Sequence, residues 1–116
     1  MEIEANKTRN EIVIYKPDEI TKIEVKIDNG TVWLNRQQLA TLFGRDVKTI
    51  GKHINNALRE ELYNMAVVAN YATTAADGKT YKVEYYNLDM ILSIGYRVKS
   101  QRGIYFRRWA NTILNE

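Results

Sequence analysis

The sequence predicts an α+β fold, and three observations carry the prediction. Asn29-Gly30 and Asp77-Gly78 each stand between short β-forming runs, a strong local signal for a hairpin. Between them, residues 35–59 hold two apolar sets at helical spacing, separated by Gly44. Near the end of the chain Phe106, Trp109, Ala110, Ile113 and Leu114 follow the i, i+3, i+4, i+7, i+8 pattern of a helix with one buried stripe.

Taken in order, residues 12–15 form a short apolar strand, and Pro17-Asp18 marks the turn that ends it. Ile23, Val25 and Ile27 alternate with Lys22, Glu24 and Lys26, giving a strand over 22–28 one apolar face, and residues 31–34 supply its hairpin partner. Asn35 then caps a first helix that buries Leu39, Ala40, Leu42 and Phe43, until Gly44, free to take a positive φ, reverses the chain. Asp46 caps a second helix over about 47–59, whose Val47, Ile50, Ile54, Ala57 and Leu58 gather on one arc of roughly 100°. Lys48, Lys52, Asn55, Asn56 and Arg59 fall on or near the opposite side. Gly51 interrupts this helix at a cost of about 1 kcal/mol relative to alanine. Either a close neighbour requires it or it merely weakens the helix. Glu60-Glu61-Leu62 extend the helix in this reading, and the rest, to Val68, is a loop. Residues 71–74 and 80–86 flank a tight turn at Asp77-Gly78, with Tyr81, Val83 and Tyr85 on one face. Asn87 caps a helix to about residue 98, striped by Leu88, Ile91, Leu92 and Val98, and a last helix runs from about 102 towards 115.

With 116 residues, 45% of them apolar, the chain suits one domain with a modest core. It has no cysteine, which excludes disulfides and thiolate metal sites and fits a reducing compartment. Residues 1–11 lack the basic start and apolar run of a signal peptide, and no segment approaches the roughly 20 apolar residues of a membrane span, so a cytoplasmic location is expected. His53 is the only histidine, and no glycine-rich phosphate loop or serine elbow accompanies it. Glu60 and Glu61, adjacent on a helix, point about 100° apart, a poor geometry for a shared site. The expectation is therefore no enzyme, no cofactor and no metal.

Charge is arranged in blocks. The net charge is +3, but residues 31–59 carry five bases against one acid and residues 90–116 again five against one, while the segments that precede each are acidic overall. Clustered cations supply the counterion-release term of nucleic-acid binding, which an evenly mixed surface lacks. The two helices around Gly44, followed by a hairpin, read as a winged helix-turn-helix with an N-terminal β-hairpin and two C-terminal helices. In that motif the second helix enters the major groove. Lys48, Thr49, Lys52 and Asn56 are expected at base edges or nearby phosphates, and Arg45, Arg59, Lys79 and Lys82 on the backbone of double-stranded DNA, the last two from a wing over about 71–86. A homodimer is expected because two reading helices double the contact, with no pairing surface legible. Arg97, Lys99, Arg102, Arg107 and Arg108 form the second basic cluster, a second phosphate-facing surface or a site for an acidic protein.

Three stretches, TVWLNRQQLATLFGRDVKTIGKHI, ATTAADGKTYKVEYYNLDMILSIGYRVKSQRG and YFRRWANTILNE, together resemble the N-terminal region of the RhuM family of virulence-associated bacterial proteins, over residues 31–116. The resemblance implies a single DNA-binding domain over 1–116, the N-terminal part of a longer family architecture, with a role in transcription regulation. Arg45-Asp46-Val47-Lys48 stands where family members tend to have Val-Ser-Arg-Ser, so no shared target sequence is implied. The closing segment is also similar to phage antirepressor N-terminal domains. That implies the alternative, an antirepressor-type protein-interaction module without direct DNA reading.

Overall fold

The computed structural model describes residues 9–116. Within them the α+β class is realised as one antiparallel sheet of five strands with four helices. Strands β1 (Glu11–Tyr15), β2 (Ile23–Asp28) and β3 (Thr31–Asn35) lead into helices α1 (Arg36–Phe43) and α2 (Val47–Arg59). Strands β4 (Val68–Thr74) and β5 (Thr80–Asn87) follow, then α3 (Leu88–Arg97) and α4 (Arg102–Leu114). The reading of residues 1–8 as free of a leader concerns positions outside those described. Among the described residues no helix is long and apolar enough to cross a membrane.

Local chemistry accounts for the element boundaries. Asn29 and Gly30 both take positive φ, 53° and 75°, as a two-residue turn matched to strand twist requires. At the second hairpin β4 stops at Thr74 and β5 starts at Thr80, as expected, and Ala75 and Lys79 close the loop between them through Ala75 N–H to Lys79 C=O at 2.9 Å. Asn35 and Gln38 exchange side-chain and backbone hydrogen bonds at 2.9 and 2.8 Å, a full capping box for α1. Gly44, at φ 63°, ends that helix, and the Asp46 carboxylate accepts the Thr49 N–H at 2.7 Å to start the next. That bond and the Thr49 hydroxyl hold the Asp46 carboxyl below its usual range.

The two hairpins are not separate. β3 pairs with β5 through Trp33 with Asn87, Leu34 with Tyr86 and Asn35 with Tyr85, giving the strand order β1-β2-β3-β5-β4. Only the root of the second hairpin joins the sheet. Beyond Tyr85 it continues as a two-stranded ribbon towards the 75–79 loop, and residues 72–82 are all exposed. Five paired positions at about 3.4 Å each carry it roughly 17 Å past the end of β3.

Val25, Ile27, Leu34 and Tyr86 face the core, where α1 and α3 lie against the sheet, and α2 packs chiefly on those two helices. The opposite sheet face carries Trp33, whose indole N–H donates to the Asp28 carbonyl, and Tyr71, whose hydroxyl donates to the Asp28 carboxylate at 2.9 Å. Burial, then this bond, push the Tyr71 hydroxyl up to about 12. The stripe of α3 differs from expectation: Met90, Ile91, Ile94 and Gly95 are buried, and Leu92 is turned half to the surface. An apolar helix packed between a sheet and two other helices buries more than one arc, so a single stripe misplaces its centre. Gly95 and Gly103 let α3 and α4 meet closely over the Phe43 ring.

Candidate functional site

On α2 the buried residues Ile50, Gly51, Ile54 and Ala57 lie on one side. Lys48, Lys52, Asn55 and Arg59 are exposed on the other. Their spacing of four, three and four residues aligns them as one polar stripe per turn of the rod, about 16 Å long at 1.5 Å per residue. Thr49 and Asn56, expected beside the lysines, are half-buried at the border of this stripe. Thr49 serves the Asp46 cap, and the Asn56 side-chain oxygen accepts from the Arg59 guanidinium. The asparagine on the open face is Asn55.

Gly51 has a specific neighbour. A Cβ placed on it would stand 3.0 Å from Arg36 Nη1, so the glycine makes room for the guanidinium of the first residue of α1. That guanidinium also reaches the Tyr86 hydroxyl, which donates to Glu84 at 3.1 Å. A chain of contacts thus ties the middle of α2 to the root of the β4–β5 ribbon. Lys82, two residues from Glu84 and on the same side of β5, is exposed, and Lys79 stands at the loop. The sequence signalled the close approach through the glycine itself but did not identify Arg36 as its cause.

Three of the expected cations are engaged within the chain. Arg45, placed by sequence on the DNA backbone, instead donates to the carbonyls of Phe43, Gly44 and Val98 at 3.1, 3.4 and 3.2 Å. Arg102 donates to the Leu42 carbonyl at 3.1 Å. Both answer the unsatisfied carbonyls and negative dipole ends that close α1 and α3. Arg97 forms ion pairs with Glu60 at 3.0 Å and Glu61 at 2.5 Å. The two carboxylates therefore share one partner, contrary to the expectation for adjacent helical residues, because Glu60 has left helical geometry at φ −109°, ψ −101°. Of the second basic cluster, Lys99, Arg107 and Arg108 remain exposed without a bond of this kind among the described residues.

Residues 66–116 match the family model described as Virulence protein RhuM family. The match covers the β4–β5 hairpin, α3 and α4, in the C-terminal half of the chain, and stops short of α1 and α2. No curated protein and no solved structure matches the chain.

Proposed function

From the match of residues 66–116 to the Virulence protein RhuM family as premise, we propose that the chain is a double-stranded DNA-binding domain of a bacterial regulatory protein, built as a winged helix-turn-helix. The observation that carries this reading is the exposed stripe of Lys48, Lys52, Asn55 and Arg59, which contains no acid. A helix about 10–12 Å across fits the major groove of about 12 Å, and lysine, arginine and asparagine supply donors for phosphate oxygens and for the acceptor edges of guanine and adenine. The ribbon, tied to α2 at its root through Arg36, is read as the wing, with Lys79 and Lys82 as its phosphate contacts, and that tie supports the reading. The alternative of an acidic partner at the second basic cluster has less to recommend it, since Arg97 and Arg102 are spent on internal bonds.

Fluorescence anisotropy with a random-sequence duplex over a range of salt tests the reading. Lys48→Ala with Lys52→Ala is expected to weaken binding and lower the slope of log K against log salt by about two, near one for each lost phosphate contact. Binding with an unchanged slope, or no binding by the parent chain, overturns it.

A further inference from the structure

Two grooves run end to end along the outer side of α3. The first, of about 590 Å³, is bounded by Glu60, Glu61 and Asp89, and the second, of about 440 Å³, by Lys99 and Arg107. Leu92 and Tyr96 line both. Tyr96 is 85% exposed, Met65 at the acidic end 46% and Ile104 at the basic end 45%. An apolar strip of this kind within a charged rim is the composition of a protein contact surface.

The rim has a definite sense. At one end three carboxylates and the single guanidinium of Arg97, which pairs with Glu60 and Glu61, leave two net negative charges, and at the other Lys99 and Arg107 supply two positive ones. A uniformly acidic or basic partner satisfies one end and is repelled by the other. A second copy turned by a two-fold axis through Leu92 and Tyr96 satisfies both, since the acidic end of each lies on the basic end of its mate. We propose that this face joins two copies of the chain into a symmetric dimer with Tyr96 at its centre. No residue of α2 lines either groove, so the pairing leaves the lysine stripe uncovered and does not depend on whether that stripe meets DNA.

Sedimentation equilibrium of the chain alone tests this without any nucleic acid. The parent is expected at twice its 13.5 kDa mass. Lys99→Glu with Arg107→Glu makes both ends acidic, and Glu60→Lys with Asp89→Lys makes both basic. Each variant alone is expected to have its dimer dissociation constant raised by on the order of a hundredfold, and an equimolar mixture of the two to recover a one-to-one dimer. Tyr96→Asp, at a position too exposed to disturb the core, is expected to give a monomer with unchanged circular dichroism, and it decides the matter if either charge variant fails to fold. A parent that stays monomeric at its highest soluble concentration, or a dimer untouched by Tyr96→Asp, overturns the proposal.

Discussion

At Glu61 three donors meet one carboxylate: the Nε and Nη2 of Arg97 and the hydroxyl of Ser93. Arg97 first and Ser93 second pull its carboxyl from the usual 4.5 down to about 2. A depressed carboxyl stabilises the folded chain above its unfolded value, so this contribution is present above pH 4.5 and is lost as the pH falls towards 2. The pair lies at the surface, where screening limits it to about 1 kcal/mol or less. Glu61→Gln is expected to lower the melting temperature slightly at neutral pH and to flatten its fall between pH 4.5 and 2. Thermal melts at low and high salt check this, the difference from the parent shrinking as salt rises. Arg45 and Arg102 make the complementary point that a cation can be conspicuous in sequence yet be committed to helix ends rather than to a partner.

Among the elements, α2 poses the sharpest question, because it keeps a buried glycine in its second turn. Replacing Gly51 with alanine gains about 1 kcal/mol of helix propensity but drives the Arg36 guanidinium from its seat. Because that neighbour is the end of a flexible side chain, the two effects are expected to offset in the parent, while Gly51→Ala in an Arg36→Ala background shows the full gain. Urea titration of the four chains of this double-mutant cycle measures the coupling, and an additive cycle rejects the contact. Boundaries of the elements were legible because Asn35, Asp46, Asn87 and Asn29-Gly30 act on residues within three positions of themselves. The joining of β3 to β5, the fall of Arg97 onto Glu61 and the reach of Arg45 to Val98 depend on how elements come together across dozens of residues. Nothing in local spacing encodes those. On the candidate site, the lysine stripe followed from periodicity, whereas the half-burial of Thr49 and Asn56 followed from neighbours that periodicity does not name.

For the molecule as a whole, the crossing of α3 and α4 is the tightest constraint. A Cβ on Gly95 would stand 3.2 Å from the Phe43 ring and 3.4 Å from the Gly103 Cα, where both a packed ring and backbone would have to give. Gly95→Ala is expected to destabilise the chain by about 1–3 kcal/mol, the range for overpacking a filled core, as read from the midpoint of urea unfolding. If stability is unchanged, the two helices are not held at that separation. The seam between β3 and β5 carries a further implication. The matched residues 66–116 contribute two of the five strands, and β5 meets the other three only along Tyr85, Tyr86 and Asn87. Without β3 the unit of β4 and β5 presents a bare edge, so its order depends on a neighbour that offers a complementary strand there.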